Sequence, residues 1–193
     1  MVVRSLIGVF ARPWNERETA VTQGSKLLAG SEFPALSMPR VGGGELTLGG
    51  RGRWQAIVIY RGKHCPLCRK YLKTLDTLLG EFQQADIGVV AASADPREKA
   101  ESQAAEEGWQ FPVGYGLTLE QMRTLGLYLS APRSPQETDR PFAEPGLFVI
   151  NPDNRTQVVE VSNASYARPD LATLLGGIKY AIDNRLPVHG TLN

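Results

Sequence analysis

Cys65 and Cys68, separated by Pro66 and Leu67, are the residues whose type and spacing point most directly to chemistry. Two thiols one helical turn apart come within disulfide reach after small local adjustment. A thiolate at one of them can attack a disulfide or a peroxide, and its neighbour can then resolve the product. These are the only two cysteines of the chain. A structural disulfide framework needs distant pairs that close long loops, which this chain lacks. A structural zinc site needs four ligands, and His64 and His189 are the only histidines that could supplement the pair. We therefore expect a reactive dithiol, with no metal and no cofactor.

The chemistry needs a platform, and the flanking residues supply one. Trp54–Tyr60 is a near-continuous apolar run, suited to a central strand buried on both faces. Arg61–His64 is the turn after it, and a helix should begin near Cys65. A helix N-terminus carries partial positive charge and unpaired N–H groups, so the first cysteine should have a depressed pKa. Lys63, His64 and Arg69 add positive potential close by. Pro66 in the first helical turn costs no hydrogen bond and pre-sets the backbone. His64 reads either as a proton donor or pKa-lowering neighbour, or as a solvated turn residue. Arg61 reads either as a group that orients a substrate anion or as the partner of a surface carboxylate.

Further elements follow from pattern. Ser31–Leu48 reads as two short strands reversed at Gly42-Gly43-Gly44. Tyr71, Leu72, Leu75, Leu78, Leu79 and Phe82 recur at helical spacing and predict one amphipathic helix after the cysteines. Ile87–Ala92 is the next buried strand. Asp95-Pro96 reads as an N-cap with proline at the first helical position, and Gly108 as that helix's stop. Thr118 to Gln121 is a capping box. Ser130–Glu144, rich in proline and charge, reads as a long loop of the kind that is usually functional or mobile. Gly146–Ile150 and Gln157–Val161 form a strand pair, and Leu171, Leu174, Leu175, Ile178 and Ile182 mark a final helix. The resulting order implies an α/β fold, a central mixed sheet flanked by helices with an N-terminal β-hairpin extension. Pro145, directly before a buried strand, is either an ordinary loop proline or a cis-proline packed on the dithiol.

Composition narrows the function classes. At 193 residues the chain can bury one full core. With a formal net charge of +1 it presents no electrostatic case for nucleic acid or an anionic membrane. No apolar run approaches the roughly 20 residues that span a bilayer. The stretch Ser5–Ala11 is short and followed at once by Arg12-Pro13-Trp14-Asn15, so no export signal is read and a cytoplasmic protein is expected. The division expected is 1–28 as an extension, 29–185 as the working domain and 186–193 as a tail.

From about Leu28 to Asp183 the chain resembles the thioredoxin superfamily, in particular its alkyl hydroperoxide reductase/thiol-specific antioxidant (AhpC/TSA, peroxiredoxin-like) branch. The resemblance is carried by Ala29–Leu36, by Ile57–Gly62 followed by Cys65-Pro66-Leu67-Cys68-Arg69, by Ala92–Asp95 and by Pro145–Ile150. It implies a thioredoxin-like fold and a redoxin active site, and it favours the cis-proline reading of Pro145. Two departures stand out. Peroxiredoxins carry a proline and a threonine seven and three positions before the peroxide-attacking cysteine, where this chain has Val58 and Gly62. They also carry an arginine at the start of the later strand, where this chain has Pro145. The threonine and arginine bind peroxide, and a CxxC spacing suits thiol exchange.

The leading expectation is therefore a thiol–disulfide oxidoreductase with Cys65 as the exposed nucleophile and Cys68 as resolving thiol. Pro145, Pro66, His64 and Arg61 would be the substrate-positioning residues. The alternatives are a thiol-dependent peroxidase using the same cysteines, with an antioxidant role, and a non-catalytic redox sensor. Expected partners are a protein disulfide, thiol or peroxide, with a thioredoxin- or glutathione-type reductant. A homodimer is the expectation attached to the N-terminal extension.

Overall fold

The computed structural model of the chain describes residues 26–192. Expectations about residues 1–25, including the leader reading and a part in dimerisation, lie outside the described residues. Within them, a central strand organises everything else. β3 (Trp54–Ile59) runs parallel to β4 (Ile87–Ala92) on one side and antiparallel to β8 (Gly146–Ile150) on the other. β5 (Val113–Gly114) extends the β4 edge in parallel, and β9 (Thr156–Val161) closes the β8 edge antiparallel. The sheet is thus mixed, in the order β5-β4-β3-β8-β9.

Strand periodicity assigns the two faces. Side chains alternate along a strand, so Ala56 and Val58 of β3 face one core and Ile57 and Ile59 the other. The first core gathers Leu72 and Leu75 of α1 (Pro66–Thr77), Phe82 of α2 (Leu79–Gln84) and Leu171, Leu175 and Ile178 of α5 (Leu171–Asp183). Cys65 and Cys68 belong to that cluster. The second core is covered by the hairpin β1 (Leu36–Pro39) and β2 (Glu45–Leu48), by α4 (Leu119–Thr124), and by the pair β6 (Leu129–Ser130) and β7 (Phe142–Ala143). Each fully buried Leu, Ile or Phe in these layers contributes about 1.5–3 kcal/mol. The hairpin forms its own two-stranded sheet and touches the main one where Arg40 bridges Gly114.

Several expectations hold in detail. The Gly42–Gly44 reversal has positive φ at all three glycines. Gly108 ends α3 (Arg97–Glu107) in the left-handed region, and Thr118 and Gln121 exchange both bonds of the capping box. Three readings change. The helix after the cysteines is two helices: Leu78 adopts φ −94° and ψ −3° and its N–H is shared between the carbonyls of Thr74 and Leu75, just ahead of Gly80. Asp95 does not cap α3. Pro96 takes that position, and the Asp95 carboxylate turns to the backbone N–H of Lys63 at 2.6 Å. The segment 130–144 is not a free loop, because Leu129–Ser130 and Phe142–Ala143 pair antiparallel and close it. No described helix is long and apolar enough to cross a membrane.

Candidate active site

The strand-to-helix turn after β3 presents the dithiol. Cys65 is the N-cap of α1, with extended backbone (φ −101°, ψ 103°), and Pro66 occupies the first helical turn. The Cys68 N–H donates to Cys65 Sγ at 3.2 Å, so a first-turn amide of the helix serves the first sulfur. Cys65 and Cys68 are bonded to one another in a disulfide with Cα atoms 5.3 Å apart. Both are buried in the first core, which overturns the expectation that Cys65 is exposed: with its partner sulfur it packs under the start of α1. The sequence-predicted pairing and the helix-start setting are therefore present together.

The expected cationic surroundings are organised differently. Lys63 Nζ pairs with Glu106 and donates to Ser102 Oγ at 2.7 Å, and Arg69 Nε lies 2.9 Å from Glu107, so both cations are answered by α3. His64 packs its ring 4.7 Å from that of Phe142, and both ring nitrogens are buried without a partner among the described residues. Burial, with help from Arg61, lowers the His64 pKa, so the ring is neutral at pH 7. Arg61 lies over the Phe142 ring at 4.6 Å. It stands 3.2 Å from Glu144 and 3.4 Å from Glu137, and all three side chains are mostly buried. Hydrogen bonds from Arg133 and the charge of Arg61 hold the Glu137 carboxyl down to about 2. Glu144 in turn accepts from Ser130 Oγ at 2.7 Å. Arg61 thus binds carboxylates of its own chain and ties the 130–144 segment to the site. Arg61, His64 and Pro66 line one cleft of about 860 Å³ together with Lys63, Arg69 and Glu137.

Pro145 lines a different cavity. The Glu144–Pro145 peptide is trans, as is every other peptide bond described, which overturns the cis-proline reading. Both flanks are held by backbone: the Glu144 N–H donates to Tyr128 O at 2.8 Å, and Pro145 O accepts from the Ser162 N–H at 3.0 Å as the chain enters β8. Pro145 lines a separate, small cavity with Tyr71, Glu160 and Arg168. The structure therefore brings Arg61, His64 and Pro66 together at one cleft and leaves Pro145 at another.

Arg168 is the residue that sequence reasoning missed. Its guanidinium reaches Cys68 Sγ at 3.1 Å and Cys65 Sγ at 4.0 Å. It is placed by the 162–170 connection between β9 and α5. Arg168 Nε donates to Ser165 O at 2.9 Å, the group sits 5.2 Å from the Tyr71 ring centre, and Tyr71 Oη donates to Pro169 O at 2.9 Å. The only signal available was an arginine immediately before Pro169 and the N-cap Asp170. Asp95 is the second such residue. It is 2% exposed, burial raises its pKa, and it fastens the turn carrying Cys65 through Lys63 N–H.

Residues 29–159 match the family model described as the AhpC/TSA family. The chain belongs to the AhpC/TSA family. A Mycobacterium tuberculosis protein named "Putative peroxiredoxin" is 30% identical over 94 residues, 48% of this chain and 60% of that protein's length. A peroxiredoxin-like protein from Aquifex aeolicus superposes with a TM-score of 0.70 at 15% identity, covering 82% of this chain and 90% of its own. Mycobacterium bovis AhpC superposes with a TM-score of 0.67 at 18% identity, covering 87% and 99%. At these identities the structural likeness is one of fold, and the fold is the thioredoxin-like one of peroxiredoxins.

Against that AhpC/TSA background, the departures at Gly62 and Val58 have physical reasons. Gly62 has φ +131°, and a Cβ there would stand 2.6 Å from Asp95 Oδ1. A threonine cannot occupy that place while Asp95 holds the turn. Val58 pairs with Ala91 on one side and Leu147 on the other, and a proline there would cost the central strand a ladder hydrogen bond.

Proposed function

We propose that this AhpC/TSA protein is a thiol–disulfide oxidoreductase that cycles the Cys65–Cys68 pair between dithiol and disulfide. The observation carrying the reading is the disulfide itself, formed within one helical turn at the start of α1, beside a turn whose Gly62 leaves no room for a peroxide-binding side chain. In the reduced protein the Cys65 thiolate attacks one sulfur of a substrate disulfide, and the first substrate thiolate leaves and takes up a proton. Cys68 then attacks Cys65 Sγ, the second substrate thiolate leaves, and the protein disulfide remains. A thioredoxin- or glutathione-type thiol reverses it. Pro66, His64 and Arg61 line the cleft by which a substrate approaches Cys65. Pro145 would act from its own cavity beside Arg168. The working unit is taken as residues 29–185, in a cytoplasmic protein that pairs as a homodimer.

A second reading, thiol-dependent peroxide reduction with an antioxidant role, is favoured by family membership and by Arg168, which places a cation at the sulfurs from outside the usual motif. Stopped-flow mixing of the reduced protein with a protein disulfide and, separately, with hydrogen peroxide decides between them. The proposal expects the disulfide to oxidise the pair faster, and faster oxidation by peroxide would reverse the order. Cys65→Ser should abolish turnover, and Cys68→Ser should accumulate a mixed disulfide on Cys65 detectable by mass. Full activity in the first variant would remove Cys65 from its role.

A further inference from the structure

Arg168 presents an unusual balance of charge. It is half-buried, and burial lowers its pKa, yet an arginine remains charged throughout the working pH range. Among the described residues no carboxylate stands within 4.0 Å of it, whereas Arg61, Lys63, Arg69 and Lys99 all have one. A partly desolvated cation without a counter-ion is costly. Its Nη2 donates to Cys68 Sγ at 3.1 Å, and the approach is fixed by the bond from Nε to Ser165 O at 2.9 Å and by the Tyr71 ring. In the oxidised protein that sulfur is neutral. When the disulfide opens, one sulfur becomes an anion.

We infer that Arg168 is the electrostatic partner of the Cys68 sulfur, stabilising the thiolate that Cys68 becomes when the Cys65–Cys68 bond opens and so directing exchange to Cys65. This deepens the thiol-exchange reading and rests on it. An incoming thiolate RS⁻ attacks Cys65 Sγ. The RS–Cys65 bond forms, the Cys65–Cys68 bond breaks, and the electron pair leaves on Cys68 beside the guanidinium. A second RS⁻ then attacks the R sulfur, releasing RSSR and the Cys65 thiolate. The pair gains two electrons from two thiols. The two sulfurs are served unequally: the α1 amide N–H donates to Cys65, and Arg168 stands 3.1 Å from Cys68 but 4.0 Å from Cys65, so its charge favours Cys68. The other groups near Arg168 are Tyr71 from α1, Glu160 from β9, and Arg61 and Glu144, which already engage each other.

The test is a titration of the single Cys68 thiol in a Cys65→Ser background, followed by thiolate absorbance, with Arg168 intact or changed to Met or Lys. With Arg168 intact, Cys68 should titrate below the ordinary thiol value of about 8.5. Arg168→Met should raise its pKa by about one unit, and Arg168→Lys should restore most of the shift. In the two-cysteine protein, Arg168→Met should favour the disulfide against glutathione about tenfold, roughly 30 mV. That shift should be full at pH above the Cys68 pKa and vanish where Cys68 stays protonated. A merely structural role would give the same shift at every pH. Two results overturn the inference: a Cys68 thiol at or above about 8.5 with Arg168 present, or an unchanged Cys68 pKa in folded Arg168→Met. If the methionine variant does not fold, the first of these still decides. A wild-type protein that never equilibrates with glutathione or a protein disulfide would instead sink the exchange reading, and the Cys68 titration would still judge Arg168.

Discussion

The two flanks of the dithiol carry similar residue types and behave in opposite ways. On the flank formed by the turn after β3 and the cleft, Arg61, Lys63 and Arg69 are each held by a glutamate, and His64 is neutral. On the flank formed by the 162–170 connection, one arginine meets the sulfurs with no carboxylate within 4.0 Å among the described residues. Sequence proximity placed Arg61, Lys63 and Arg69 within four residues of the cysteines, yet the charge of these three is spent on building the cleft wall. Proximity along the chain does not by itself make a charge available to a reaction. What counts is whether the fold has already neutralised it.

The largest effect on that comparison should come from Arg61→Met. Removing one member of a mostly buried ion-pair set leaves Glu137 and Glu144 partly uncompensated, although Arg133 and Ser130 remain as partners. We expect a loss of about 3 kcal/mol in denaturant unfolding and faster proteolysis within 130–144. An unchanged midpoint would mean that the cleft wall does not depend on this charge. Next, Asp95→Ala should cost about 1–3 kcal/mol by orphaning the Lys63 N–H, while Asp95→Asn keeps an acceptor and should cost much less. Equal costs for the two would show that the carboxylate does not fasten the turn.

A smaller effect is expected of His64. Its folded pKa is lowered, so the unfolded chain takes up a proton first as pH falls. Its share of stability is fully present above the ordinary value of about 6.5 and is lost as pH drops from there toward the lowered folded value. Arg61, Glu137, Lys99 and Arg133 face it, and Glu137, held at about 2, stays ionised across that window. His64→Phe should flatten the stability profile just below pH 6.5, and an unaltered slope would assign it to another group. The smallest effects belong to Lys63→Met and Arg69→Met. Their pairs are partly exposed and should each be worth less than about 1 kcal/mol. The glutathione equilibrium should move by less than about twofold in either variant. A shift as large as that of Arg168→Met would erase the difference between the flanks.

Much of this was legible beforehand because it is local. An apolar run, a proline and a second cysteine three positions on specify strand, turn and helix start without reference to the rest of the chain. Thr118–Gln121 and Gly108 are local in the same way. Asp95 was misread because Asp-Pro before a helical pattern is a good capping signal, and only the neighbouring strand end offers its carboxylate the Lys63 N–H instead. The 130–144 segment looked loose because its anchors, Arg61 and the β6–β7 pairing, are distant in sequence or too short to show a pattern.

By itself, then, the sequence determined the dithiol, the helix that presents it and the strand that aims it, since each depends on neighbours within about one helical turn or strand. Tertiary structure decided which charge the sulfurs meet. Arg168 lies 100 residues beyond Cys68 and reaches it because β9 pairs with β8, β8 pairs with β3, and the connection to α5 returns beside α1. Tertiary structure also decided that Lys63 and Arg69 are neutralised, because α3 lays Glu106 and Glu107 against them. The physical reason is the same in both cases: electrostatics acts through space, and only the folded chain sets those distances.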